Sequence, residues 1–315
     1  MQLSAKALKF LDSLALRAKR SFYGMRQGAH RSQRRGHGVE FAEYRQYEVG
    51  DNPRSIDWNL YSRSDKLYCK RYLEEENVAV YILIDGSRSL THRALSTKWE
   101  IASAIAGAVG YIALATQDPV MVSILGGPHS PRYWGGSAFG ELSNFLVKAG
   151  EGIVSDSTQE IDLVKASREV AANVRFPGIC VVISDLLFPR ETLQGVLAPL
   201  RARNMEIHVA QVLGPQDLKL KSSKGNGLVL VDSENGVVRG VEVNQRSETW
   251  YLELLNQHKA DLRQDCLSCG VSYTEAKLSD KALNYTLDQI RGGVLDRVEI
   301  EECALATVAR MGLFV

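Results

Sequence analysis

Seven consecutive apolar residues, Val78 to Ile84 (VAVYILI), end on an aspartate, Asp85. A strand with one wet face alternates polar and apolar side chains, and an unbroken apolar run has no wet face to offer. The chain must therefore cover both sides of the sheet that holds this run, which is the situation of a parallel sheet with crossover helices. A second run of this kind, Ile179 to Ser184 (ICVVIS), ends on Asp185. Further strands are expected at Val120–Leu125, Glu206–Leu213 and near 271–275, with an edge segment near Tyr133. Helices are expected from Lys98 to about Thr116 and near 138–149, 160–174, 190–203, 247–265 and 280–291. Strands alternating with helices give an α/β fold, a mostly parallel sheet with helices on both faces and right-handed crossovers.

Upstream of the first buried run the pattern differs. Residues 13–39 hold Arg17, Lys19, Arg20, Arg26, Arg31, Arg34 and Arg35 and no acidic residue. Phe41–Val49 and Lys66–Leu73 are aromatic-rich and partly alternating, as strands are. Between them Gly50 to Trp58, GDNPRSIDW, carries Gly-Asp and Asn-Pro turn pairs. Three regions follow: 1–77, a basic arm with a β-rich N-terminal addition; 78–292, the α/β domain, with a hairpin insertion near 225–245 that turns at Glu234-Asn235-Gly236; and 293–315, an amphipathic tail with no assigned place. Arg54, Asp57 and Trp58 are candidates for a partner-binding surface. A Trp beside a turn is more often a packing anchor with Arg and Asp pairing around it, so Trp58 is expected to be mostly buried.

Several function classes lack their signatures. No G-x-x-x-x-G-K-[ST] loop is present to cradle ATP phosphates, no H-E-x-x-H pair to hold catalytic zinc, and no G-x-S-x-G elbow to present a nucleophile. The expectation is a protein that is not an enzyme. The alternatives are a metal-dependent hydrolase and a nucleic-acid binder using the basic arm. The arm has only Phe22 and Tyr23 as interleaved aromatics, and the whole chain carries a formal net charge of only +1, so nucleic acid is not the expected partner. Five cysteines are an odd and scattered set, and Cys266-x-x-Cys269 has neither a second CxxC nor a nearby His for zinc. With no secretory signal pattern at the start, a reducing, cytoplasmic setting is expected. Ile101–Ala115 is apolar but shorter than the roughly 20 residues a membrane span needs, and rich in Ala and Gly, so it reads as a buried helix and not a span.

What remains is a constellation. The first buried run is followed by Asp85-Gly86-Ser87-Arg88-Ser89, D-x-S-x-S, and the second by Asp185. In open α/β sheets ligands gather outside the carboxyl ends of the strands. Aspartates with hydroxyls make an oxygen-only ligand set, which suits Mg²⁺ or Mn²⁺. Neutral hydroxyls leave such an ion electrophilic, able to accept a carboxylate from outside. The competing role for Asp85 and Ser87 is to cap a helix or close a tight turn.

These residues resemble the metal-ion-dependent adhesion site of von Willebrand factor A-type domains. The upstream stretch RRGHGVEFAEYRQYEVGDNPRSIDWNLYSRSDKLYCKRYLEEE closely resembles the signature of a bacterial domain-of-unknown-function family, number fifty-eight, through Gly50, Asp51, Arg54, Ile56, Asp57 and Trp58. That resemblance covers roughly residues 20–290. It implies a von Willebrand A-like, Rossmann-like domain with an N-terminal β-addition, working with a MoxR-type AAA+ ATPase as a chaperone-like partner. It also implies metal ligands at Asp85, Ser87, Ser89 and Asp185. The adhesion-site pattern adds a Thr before the third helix; in the matching loop, GEGIVSDSTQEIDL, this is Thr158, placed a few residues early, with Ser155 or Ser157 as substitutes.

Overall fold

A computed structural model describes residues 4–14, 40–48, 51, 53, 56–73, 78–91, 96–156, 161–218, 228–231, 238–241, 245–278 and 297–313. The expected basic arm, the tip of the hairpin at 234–236 and the helix at 280–291 lie outside them. The chain divides into two compact units, Phe22–Asn77 and the remainder, Met1–Ser21 with Val78–Val315.

In the larger unit β3 (Ala79–Asp85) is buried at every position, and so are β5 (Gly178–Ser184) and β6 (Glu206–Val212). With β4 (Val120–Leu125) and β9 (Ser272–Ala276) they form one parallel sheet in the order β4-β3-β5-β6-β9. The α/β reading of the sequence thus holds. The segment near Tyr133 makes only an isolated antiparallel bridge to Val120. Register lines up Tyr81 with Cys180 and Ile207, and Leu83 with Val182 and Val209. That face packs on Leu163 and Val170 of α6 (Leu163–Asn173), Leu193 and Leu197 of α7 (Arg190–Ala202), and Leu262 and Cys266 of α9 (Gln245–Ser268).

The other face, carrying Val80, Ile82 and Ile84, is covered by α4 (Ser96–Ala115), which packs on β3, β4, β5 and β6. Helix α4 is itself covered, by α5 (Phe139–Asp156) and by α10 (Arg297–Arg310), the segment for which the sequence offered no place. Ile101, Ile105, Val109 and Ile112 are all fully buried, with alanines between them. A helix wrapped on all sides shows no polar stripe, which is why the segment looks superficially like a membrane span. No helix among the described residues is long and apolar enough to cross a membrane. Helix α1 (Ala5–Leu11) also packs on α4 and α10; the Ser4 N–H donates to Glu301 Oε1 at 3.0 Å, and Tyr111 OH to Asp12 Oδ1 at 2.6 Å.

In the smaller unit β1 (Glu40–Gln46) pairs antiparallel with β2 (Tyr68–Leu73), with a register shift between Phe41 and Glu43. Between them the expected turn segment, 50–58, leads directly into a helix that the sequence reading did not include, α2 (Trp58–Ser64). Asp57 is its N-cap: Oδ1 accepts from the Asn59 and Leu60 N–H groups at 3.0 and 3.2 Å, and Oδ2 from Tyr44 OH at 2.9 Å. Trp58 is not the expected buried anchor. It is 60% exposed, because it opens a helix that buries no residue, and its ring stands edge-to-face with Tyr61 of the same helix. In the larger unit β7 (Leu228–Val231) pairs antiparallel with β8 (Val238–Val241), the two strands expected for the hairpin.

Gly178 shows how closely the central strands meet. A Cβ there would lie 2.0 Å from the Ala79 carbonyl oxygen, on backbone that cannot move aside. Gly178→Ala should therefore cost at least about 2 kcal/mol, as overpacking does. Gly140→Ala, in helix α5 with nothing within 4 Å, should be neutral or stabilising by up to ~1 kcal/mol. Urea unfolding of both variants checks this; equal effects would contradict the register described here.

Candidate metal centre

Asp85 is the last residue of β3, and Ser184 the last of the neighbouring β5. Because β3 and β5 run parallel with Ile84 beside Ile183, both strands deliver their carboxyl-terminal side chains to one place. Asp85 is 0% exposed and Asp185 1%. Asp85 Oδ1 accepts from the Ser87 N–H at 2.8 Å, closing the turn that leaves the strand. Its Oδ2 accepts from Ser184 Oγ at 2.6 Å, and Ser184 Oγ accepts in turn from the Leu186 N–H at 3.0 Å. The Ser87 and Ser89 hydroxyls are 3.0 Å apart. Gly86 is required between them: a Cβ there would lie 2.4 Å from the Leu125 carbonyl oxygen. Asp85, Ser87 and Ser89 thus form one oxygen-lined turn, which runs into the short helix α3 (Arg88–Thr91). The turn-closing role and the ligand role are compatible, since Asp85 keeps unshared lone pairs on both oxygens.

Asp185 is held differently. Its Oδ1 accepts from the Leu187 N–H at 3.3 Å, and its Oδ2 lies 3.0 Å from Lys98 Nζ. The same ammonium lies 2.9 Å from Asp217 Oδ2, in the short helix α8 (Pro215–Leu218) that follows β6. Asp217 Oδ2 also accepts from the Gly214 N–H at 2.8 Å. Lys98 is 1% exposed. Burial pulls its pKa down, but Asp185 and Asp217 outweigh that and hold the ammonium above its ordinary value. Burial raises the Asp217 carboxyl despite Lys98.

The backbone at this edge is strained. Leu186 has φ +56° and is fully buried, a left-handed conformation that a branched apolar side chain rarely adopts. Its carbonyl lies 2.8 Å from His258 Nε2 of α9, and the Asp185 carbonyl accepts from Gln211 Nε2 of β6 at 2.9 Å. Neighbouring elements therefore hold the bend that aims Asp185 inward.

Among the described residues no cationic side chain pairs with Asp85. Burial, and then the charge of Asp185, push its carboxyl up to about 6, against the opposing hydrogen bonds from Ser184 and Ser87. Three aspartates and one lysine leave a formal charge of −2, which one divalent cation balances. The donor chemistry fits Mg²⁺ or Mn²⁺: Asp85, Ser87 and Ser89 are the oxygens positioned to hold it, and Asp185 faces the same place while paired with Lys98.

Thr158, Ser157 and Arg54 lie outside the described residues, as does the side chain of Ser155. Asp57 is engaged in its helix cap and Trp58 stands exposed on α2. Lys98, Asp217 and Ser184 were missed as site residues. A sequence signal existed for Lys98 alone: with Glu100 it is one of only two charges in α4, and it sits in the first turn, where the helix dipole disfavours a cation.

A family model described as "Protein of unknown function DUF58" matches residues 43–261. An uncharacterized protein of Mycobacterium tuberculosis is 26% identical over 269 residues, covering 82% of this chain and 81% of its own, and one from Mycobacterium bovis matches to the same extent. Among solved structures, an aerotolerance-related membrane protein from Bacteroides fragilis, carrying multiple mutations to serines, is 16% identical with a TM-score of 0.37, covering 71% of this chain and 99% of that one. The conserved hypothetical protein BatB from Bacteroides thetaiotaomicron is 16% identical with a TM-score of 0.40, covering 72% and 98%.

The raised Asp85 carboxyl has a signed consequence. An unfolded aspartate ionises near ~3.9, and Asp85 in the fold at about 6. Between those values the folded state holds more protons than the unfolded, so this contribution to stability falls as pH rises from about 4 to 6 and is level above. Its size is on the order of 3 kcal/mol. Asp118 and Asp217 shift in the same direction, so the comparison is with Asp85→Asn. In EDTA, wild-type stability should fall relative to that variant between pH 4 and 6, and Mg²⁺ at pH 7 should restore it in the wild type only. Parallel denaturation curves for the two proteins would refute this.

Proposed function

This chain belongs to the DUF58 family of proteins of unknown function, and we propose that it is a divalent-cation-dependent protein-interaction module rather than an enzyme. The observation that carries this reading is Asp85: a fully buried carboxylate beside two hydroxyls, unpaired with any cation among the described residues, in a cluster of net charge −2. In this reading Asp85, Ser87 and Ser89 hold Mg²⁺ or Mn²⁺, in the manner of a metal-ion-dependent adhesion site, and Thr158 is the candidate for a further ligand.

What such an ion supplies is an open coordination position for an anionic oxygen. The protein's own groups prepare that position. Ser184 and the Ser87 amide orient Asp85, while the Ser87 and Ser89 hydroxyls add oxygens without adding charge. Lys98 and the Leu187 amide engage Asp185. Burial lowers the local dielectric, so a partner's carboxylate gains more at this edge than it would in bulk water.

Non-enzymatic work agrees with the residues around Asp85, which are hydroxyls and amides rather than a nucleophile paired with a base. His258, beside the neighbouring strand end, is engaged with the Leu186 carbonyl. The partner implied by the family resemblance is a MoxR-type AAA+ ATPase or its client. The proposed setting is the cytoplasm, in keeping with five cysteines that are all free thiols.

Binding of the purified ATPase tests the reading. EDTA and Asp85→Ala should each weaken the complex at least tenfold, and together no more than either alone, because both remove one bridge. Calorimetry should show Mg²⁺ or Mn²⁺ binding lost in Asp85→Ala. An EDTA-treated protein that binds its partner as tightly as the Mg²⁺-loaded one would end the bridge model.

A further inference from the structure

Lys98 is where a lysine is least expected. It lies in the first turn of α4, at the positive end of the helix dipole, where a cation is disfavoured. Its side chain is 2% exposed, and an ammonium without water costs several kcal/mol unless charge compensates it. Two carboxylates do so, at 3.0 Å and 2.9 Å, arriving from separate elements of the fold.

The geometry points to Lys98 as the residue that sets the ion affinity and selectivity of the Asp85 site: a tethered cation, anchored by Asp217, that keeps Asp185 from serving as a direct ligand. This rests on the cation-site reading above and deepens it.

The argument is one of ligand charge. Affinity for hard cations rises with the number of charged oxygens that can reach the ion, and Ca²⁺, which takes six to eight oxygens, gains more from extra carboxylates than Mg²⁺, which keeps its waters. Among the described residues no three acidic, His or Cys side chains form a ready ligand group; the second carboxylate whose charge acts on Asp85 is Asp185, and Lys98 pairs it. Asp185, like Asp85, has one donor on each oxygen, but one of its donors is the Lys98 ammonium, whose charge offsets that of Asp185 and repels a second cation. An arriving ion therefore meets one carboxylate, Asp85, with the Ser87 and Ser89 hydroxyls. The ion stays weakly held and under-neutralised, which suits it to a partner's carboxylate. The small residual attraction also favours compact, strongly hydrated Mg²⁺ over Ca²⁺.

A merely structural lysine would give the opposite result on removal, since a damaged site binds less well. The experiment is calorimetric titration of Mg²⁺, Mn²⁺ and Ca²⁺ into EDTA-stripped full-length protein at one pH, as wild type, Lys98→Met, Lys98→Met/Asp217→Asn and Asp85→Ala/Lys98→Met. Lys98→Met should bind Mn²⁺ at least tenfold more tightly than the wild type, with a larger gain for Ca²⁺ than for Mg²⁺, and Asp85→Ala should abolish that gain. Lys98→Met/Asp217→Asn keeps the wild-type charge balance and serves where Lys98→Met fails to fold without metal. It should bind Mn²⁺ more tightly than the wild type through the released Asp185, though less tightly than Lys98→Met. If the wild type takes up no ion while Lys98→Met does so through Asp85, the native cation site falls, and Lys98 stands as the charge that occupies its place. If the lysine-free proteins bind Mn²⁺ no more tightly than the wild type, the role assigned to Lys98 is overturned, whatever the wild type binds.

Discussion

Lys98, Asp185 and Asp217 form a charge cluster that cannot be taken apart one member at a time. A lone ammonium at this depth, or a lone carboxylate, leaves a charge without water or partner, which typically costs 3–5 kcal/mol. Keeping the three together fixes the start of α4, the exit of β5 and the short helix α8 relative to one another. The constraint spreads further through hydrogen bonds. Gln211 of β6 reaches the Asp185 carbonyl and accepts from Tyr273 OH of β9, while His258 of α9 meets the Leu186 carbonyl. Side chains from β6, β9 and α9 thereby hold the left-handed turn at Leu186 that aims Asp185 inward.

This arrangement requires α4 to lie close to the sheet, so that the Lys98 side chain reaches across to the strand ends. Small residues make the approach possible. Ala102, Ala104, Ala106 and Ala108 are all fully buried in α4, and on the side away from the sheet a Cβ at Gly110 would come within 2.8 Å of Leu142 of α5. The same small residues remove the polar stripe that would mark a surface helix. Packing of α10 and α1 over α4 completes its enclosure. The residue pattern that brings one cation to the strand ends is thus the one that makes α4 resemble a membrane segment by composition.

The sheet was legible because its signal is local. Runs such as Val78–Ile84 and Ile179–Ser184 carry their burial in their own composition, and Asp85 and Asp185 are marked by standing at the ends of such runs. Helix α2 was hidden because its start depends on Asp57 acting as a cap within a segment rich in turn residues. The position of α10 could not be read, because its partner α4 is about two hundred residues away in sequence and only tertiary packing joins them. Trp58 was expected to anchor the turn it stands beside, with Arg and Asp pairing around it, but it opens a helix with no buried face. Lys98 and Asp217 were invisible as partners for a related reason: an ion pair across elements leaves no spacing in the sequence.

Asp85 and Asp185 are the same residue type, end adjacent parallel strands and are equally buried, yet their electrostatic circumstances differ. Asp185 has a lysine at 3.0 Å. Asp85 has a serine hydroxyl at 2.6 Å and a backbone amide at 2.8 Å. Neutral donors stabilise a carboxylate, but in this position they fall short: burial and the neighbouring charge still lift Asp85 to about 6. A fold needing only structural aspartates could have given both the same partner, or replaced Asp85 with a neutral side chain that closes the same turn. Instead the cation is assigned to one aspartate, while the other is left among hydroxyls with charge to spare. The division is local and physical: it leaves at the start of the Asp85–Ser89 turn a buried carboxylate that no cationic side chain pairs among the described residues.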